Sequence, residues 1–130
     1  MYFGIKKNQK GEPLRLIILE SPFRGATAHE TERNLRYAKA AMLDCLQRNE
    51  APLASHLLYP QILDDADPGE RALGIEAGLA WGRVADATVV YDDYGVSPGM
   101  AQGIARAVAE GRPVEYRRLP IGQNEKRAAG

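Results

Sequence analysis

The sequence is poor in the residues that ordinarily carry disulfide, metal or covalent chemistry: its 130 residues include one cysteine and two histidines. A single cysteine excludes a disulfide within the chain. Cys45 falls on the apolar side of an expected helix, where a buried, unreactive thiol is the ordinary outcome. Neither His29 nor His56 has partners at zinc-ligand spacing, so no metal and no cofactor is expected. Charge of one sign is lacking too, because 17 Lys and Arg balance 17 Asp and Glu. That balance gives no surface for nucleic acid or for a membrane, and any anion must be held by local geometry. No apolar run approaches the roughly 20 residues of a membrane span, and Met1 to Pro13 has no signal-peptide hydrophobic region. A cytoplasmic protein is therefore expected.

What is present is enough for one domain, since a chain of this length buries about two thirds of its unfolded surface in a single core. Residues 1–13 read as a flexible or edge segment, 14–119 as the domain and 120–130 as a polar tail. Leu14 to Leu19 contains the continuous run Leu16-Ile17-Ile18-Leu19, expected of a strand whose two faces are both covered by helices. From about His29 to Asn49, Leu35, Ala38, Met42, Cys45 and Leu46 recur at helical spacing, with Thr27 or Thr31 as the cap. Ala51 to His56 reads as a second strand and Ala87 to Tyr91 as a third. Between them a helix from about Pro68 to Val84 carries Leu73, Ala77, Trp81 and Val84 on one face. Ser97 to Glu110 is the third helix, with Met100, Ile104, Ala107 and Val108 inward and Gly111 as its stop. Pro113 to Arg117, charged at Glu115 and Arg117, suits an edge strand. Strands alternating with helices predict an α/β fold, a small doubly wound parallel sheet.

Several stretches carry polar chemistry at strand ends. Val89 to Met100 is a buried strand ending in Asp92 and Asp93, a turn through Gly95, and a helix opened by Ser97 and Pro98. Such a junction places carboxylates beside free backbone N–H groups, at the edge of a parallel sheet where small ligands bind. Arg24 beside Gly25, after the first strand, is either a solvated turn residue or a guanidinium aimed at a phosphate or carboxylate. His56 is either a structural histidine or a hydrogen-bonding partner for a ligand. Leu63 to Pro68 lacks the alternating spacing of a calcium loop, so its three carboxylates are read as caps for the next helix. Gly74, Gly78 and Gly82 lie four apart on the second helix. Each costs about 0.5 to 1 kcal/mol against alanine, which implies close approach of another element, a second subunit or a ligand.

Ser21-Pro22-Phe23-Arg24-Gly25 after the first strand, Ala85-Asp86-Ala87-Thr88-Val89-Val90, and Gly95-Val96-Ser97-Pro98-Gly99-Met100 together resemble the nucleoside 2-deoxyribosyltransferase-like superfamily, which includes 2'-deoxynucleoside 5'-monophosphate N-glycosidases. The resemblance spans about residues 14–117. It implies a flavodoxin-like sheet with a nucleoside or nucleotide above it, sugar or phosphate contacts from Ser21, Pro22, Phe23, Arg24 and Gly25, and a 5'-phosphate at Ser97, Gly99 and Met100. It also implies a homo-oligomer, at least a dimer. The superfamily's catalytic glutamate and aspartate fall at Gly103 and at about Gly78, and glycine supplies no group to attack an anomeric carbon. Two glycines in those places leave less negative charge and more room.

The expected function is thus non-catalytic binding, sequestering or sensing a nucleotide-derived small molecule. In a phage this implies a sponge for a host nucleotide or NAD-derived immune signal. His56, Gly78, Asp92, Gly95 and Gly103 complete the expected ligand contacts. The alternatives are an active deoxyribosyltransferase or N-glycosidase with a rearranged carboxylate, namely Asp92, Asp93 or Glu76, and a purely structural interaction module.

Overall fold

Four strands and three helices alternate along the chain in the computed structural model, which describes Gly11 and residues 13–120. Apart from Gly11, Pro13 and Pro120, the expected N-terminal segment and polar tail lie outside the described residues. Strands β1 (Arg15–Glu20), β2 (Glu50–Leu53), β3 (Ala87–Tyr91) and β4 (Val114–Arg117) form one parallel sheet in the order β2-β1-β3-β4. Helices α1 (Ala28–Gln47), α2 (Pro68–Ala80) and α3 (Pro98–Ala109) make the crossovers. From β1 the chain first winds outward to β2 and then back across to β3. The reversal opens a crevice above the carboxyl ends of β1 and β3, and the expected doubly wound α/β architecture is the one observed.

Strand alternation divides β1 between two environments. Ile17 and Leu19 join Tyr37, Ala41 and Cys45 of α1 in the core. Ile18 and Glu20 point to the opposite face and border a cavity. All five residues of β3 are buried. Burial of a valine such as Val89 or Val90 contributes roughly 1.5 to 3 kcal/mol, so an apolar run is selected on both faces.

Each helix begins with a side-chain cap. Thr27 Oγ1 accepts from the Glu30 N–H at 3.1 Å, Asp67 Oδ1 from Gly69 at 3.0 Å and Ser97 Oγ from Met100 at 3.2 Å. Thr31, the alternative cap for α1, instead accepts from the Gly25 N–H at 2.9 Å and ties the loop after β1 to the helix. Gly111 adopts a φ of +71°, a conformation that suits glycine, and turns the chain away from α3.

Four details depart from the sequence reading. Strand β2 stops at Leu53, and His56 lies in a 3-10 turn, Ser55–Leu57. Helix α2 ends at Ala80 and tightens into another 3-10 turn over Trp81–Val84. The apolar stripe of α2 also faces outward, with Leu73 60%, Trp81 50% and Val84 63% exposed. Its inward face carries the glycines. A Cβ on Gly74 would lie 3.3 Å from Leu63 Cδ1, one on Gly78 2.6 Å from Ser55 Cβ, and one on Gly82 2.6 Å from Arg112 Nη2. The close approach implied by the three glycines is therefore made by the chain itself. In α3, Val108 is likewise exposed rather than inward.

Candidate functional site

A cavity of about 260 Å³ lies beyond the end of β1, walled by the loop after β1, the segment after β2, α2 and the start of α3. Its apolar lining includes Ile18, Leu53, Ile75, Leu79 and Met100. Of the residues singled out from the sequence, Ser21, Phe23, Arg24, His56, Gly78, Ser97, Gly99 and Met100 border it. Four separate segments thus converge, as the strand-end argument requires.

Ser21 Oγ and His56 Nε2 hydrogen-bond at 2.7 Å and link the ends of β1 and β2. Burial pushes the His56 imidazole down to about 4, so the ring is neutral at physiological pH. Phe23 packs edge-on to it, with ring centroids 6.3 Å apart. Arg24 crosses to Asp65, Nη2 to Oδ2 at 2.7 Å, and joins the loop after β1 to the segment before α2. This half-exposed pair competes with any anion that approaches the guanidinium. Arg71, on the first turn of α2, borders the same cavity.

The start of α3 has little free donor capacity. Pro98 has no N–H, Ser97 Oγ caps Met100, and Ala101 donates to the Ser97 carbonyl at 2.9 Å. Only the Gly99 N–H remains among the first four positions. Ser97 Oγ accepts in the cap and keeps its O–H to donate, so the Gly99 N–H and the Ser97 hydroxyl are the donors this helix start presents.

The other expected contacts lie elsewhere. Pro22 is buried behind the loop, and Gly25 packs against the first turn of α1, where a Cβ would meet the Thr31 nitrogen at 3.0 Å. Asp92 pairs with Arg118 at 3.3 Å, beside β4 and away from the cavity. Asp93 is buried: the Tyr37 hydroxyl donates to its Oδ2 at 2.6 Å and the Leu119 N–H to the same oxygen at 2.9 Å. It joins α1, the β3–α3 turn and the chain after β4. Gly95 makes that turn at a φ of +86°. Glu76 projects outward to Arg106 at 2.9 Å. None of these three carboxylates borders the cavity, which removes the geometric basis for choosing them as a rearranged catalytic acid. Gly78 and Gly103 do not leave open room either, because Ser55 fills the space at one and Glu20 at the other.

Glu20 is the residue the sequence reading missed. It is the last residue of β1, its carboxyl lies against Gly103, and the residue is part of the cavity lining. Burial pushes it up to about 8, against a weaker opposing pull from Arg112. Arg112 is committed elsewhere: its Nε donates to Thr88 Oγ1 at 3.0 Å, and its Nη1 donates to the Gly82 carbonyl at 2.6 Å and Glu110 Oε1 at 2.7 Å. The available signal was an acid two residues after Ile18 on a strand with buried faces. Elsewhere Cys45 is buried beside Tyr91, and burial raises its thiol to about 11. No group of three or more His, Cys, Asp or Glu side chains is arranged to hold a metal among the described residues. No helix among them is long and apolar enough to cross a membrane.

A doubly wound sheet with a ligand-sized cavity above its reversal point is the architecture of many small-molecule-binding α/β domains. Residues 15–117 match DUF7768, described as a domain of unknown function, and the chain belongs to that family. Among solved structures it is similar to a 2-deoxyribosyltransferase from the psychrotolerant bacterium Bacillus psychrosaccharolyticus, with a TM-score of 0.55 and 18% identity over 79% of this chain and 72% of that one. That likeness is one of fold. No curated protein matches the chain.

Proposed function

We propose that this protein binds a nucleoside or a mononucleotide-derived small molecule in the cavity above β1 and holds it intact, as a sequestering or sensing protein does. The observation that carries the reading is the cavity itself: an apolar slot of about 260 Å³, with Arg24, Arg71 and the Gly99 N–H at its borders and a carboxyl, Glu20, on its lining. The mostly apolar lining suits a base ring, and the cations with the N–H suit a phosphate. Its volume of about 260 Å³ falls just below the roughly 300 to 1,000 Å³ typical of small-molecule pockets, which favours one nucleoside over a dinucleotide. Retention without cleavage is supported by the lack of an ionised carboxylate at the cavity to attack the anomeric carbon. An un-ionised carboxyl is not a nucleophile, and Asp92, Asp93 and Glu76 are engaged elsewhere.

A second reading, cleavage or transfer at an N-glycosidic bond, is favoured by one observation: Glu20 does put a carboxyl beside the cavity. It requires the ionised form, so base release would rise with pH through about 8 and vanish in Glu20→Gln. Incubating the protein with deoxynucleosides and their monophosphates at pH 7 and 9, followed by chromatography, separates the readings. Intact ligand at both pH values supports binding alone, and Glu20-dependent base release supports the second. We further propose that copies associate through the outward stripe of Leu73, Trp81 and Val84.

A further inference from the structure

Glu20 has an unusual setting. Strand alternation places it on the same face as Ile18, toward α3. Position 103 has no side chain, and the carboxyl occupies the space that one would need: a Cβ there would lie 2.9 Å from Oε1 and closer still to Cδ and Oε2. Among the described residues Glu20 makes no hydrogen bond and no ion pair, and none of their side-chain polar atoms is both fully buried and unpartnered, so its carboxyl is not wholly shut off from solvent. Glu20 is among the residues that line the cavity. A half-buried carboxyl without a donor is pushed toward its protonated form, because ionisation there would leave a poorly solvated charge uncompensated. The protonated group donates from one oxygen and accepts at the other.

We propose that Glu20, seated against Gly103, reads the base of the ligand as a neutral carboxyl. Its O–H donates to a ring nitrogen and its carbonyl oxygen accepts from the adjacent amino group, which matches an amidine edge such as that of adenine or cytosine. The inference rests on the nucleoside reading of this cavity and specifies which ligands it takes. An ionised carboxylate only accepts and would repel the ring nitrogen, so the pairing holds only while the proton stays on Glu20. Other titratable or charged groups around the cavity are His56 and Tyr59 after β2, Asp65 with its partner Arg24, and Glu70 and Arg71 on α2. Arg112, next to Gly82, opposes the effect of burial on Glu20. His56 is neutral across the neutral and alkaline range.

The test is calorimetric titration with adenosine and cytidine, whose bases stay neutral at both pH 7 and pH 9.5, with ribose 5-phosphate as a probe that lacks a base. With the Glu20 proton leaving at about 8, affinity of the wild type for the nucleoside it takes falls about thirty-fold between pH 7 and 9.5. Glu20→Gln keeps one donor and one acceptor but has no proton to lose. A variant that melts cooperatively like the wild type is expected to bind within about ten-fold of it at pH 7 and to show no such fall at pH 9.5. Wild-type affinity indifferent to pH, or the same fall in the variant, overturns the assignment of Glu20 and leaves the nucleoside site standing. Binding of ribose 5-phosphate without either nucleoside overturns the assignment in favour of a sugar-phosphate site. If no probe binds, both inferences fail.

Discussion

Replacing Glu20 by glutamine tests the state of the buried carboxyl without any ligand. The side chains have nearly the same shape, so the packing against Gly103 is kept and only the titration is removed. In the folded protein the proton leaves at about 8, whereas in the unfolded chain it leaves near the ordinary 4.5. Below pH 4.5 both states hold the proton and Glu20 adds no pH dependence. As pH rises from 4.5 to 8 the unfolded chain releases its proton first, so stability falls, and above 8 the loss is complete. A displacement from 4.5 to about 8 corresponds to at most about 5 kcal/mol, and water entering through the open side of the cavity reduces it to about 2 to 3 kcal/mol. Urea unfolding of wild type and Glu20→Gln at pH 5, 7 and 9 measures the difference directly. The variant should gain on the wild type by about 2 to 3 kcal/mol between pH 5 and pH 9. An equal stability difference at all three pH values would refute the buried, protonated carboxyl.

Gly103→Ala puts a methyl group where the Glu20 carboxyl now sits, but the carboxyl ends a flexible side chain and can swing aside. Thermal unfolding should change by no more than about 1 kcal/mol, while nucleoside affinity measured by calorimetry drops at least about ten-fold. Asp65→Asn releases Arg24, and because a half-exposed ion pair contributes about 1 kcal/mol or less, affinity for a nucleoside monophosphate should rise by up to about five-fold. Arg24→Ala should lower it, and unchanged titration curves for both variants would remove Arg24 from the site. If copies meet through the outward face of α2, light scattering should find an oligomer in wild type and a monomer in Leu73→Lys; a wild-type monomer would dismiss that interface.

The fold was legible because burial on both faces leaves a strong mark on sequence. Ile17 to Leu19 and Ala87 to Tyr91 are buried and apolar without alternation, as helices on both sides require, and Ser97-Pro98 fixes the start of α3. The cavity edge was legible for a similar reason, since Ser21, Arg24, His56 and Ser97 all leave strand ends. The α2 surface was not. Helical periodicity identifies an apolar stripe, yet in α2 the inward face is the one where Gly74 and Gly78 admit Leu63 and Ser55. Leu73 and Trp81 were left outside. Asp92 and Asp93 misled because proximity along the chain to Ser97 says nothing of direction: the turn after β3 aims them at Arg118, Tyr37 and the Leu119 N–H. Glu20 escaped notice because an acid closing a strand is usually solvated. Only the missing side chain of Gly103, far away in sequence, makes room for its carboxyl.

The central claim, that this cavity binds a nucleoside-type molecule and leaves it intact, is tested most directly by titrating the wild-type protein calorimetrically at pH 7 with nucleosides and their monophosphates and then chromatographing the mixtures. The account predicts saturable binding of at least one member that carries an amidine edge, with the ligand recovered whole. No saturable heat from any member, or free base in the recovered mixture, would contradict it.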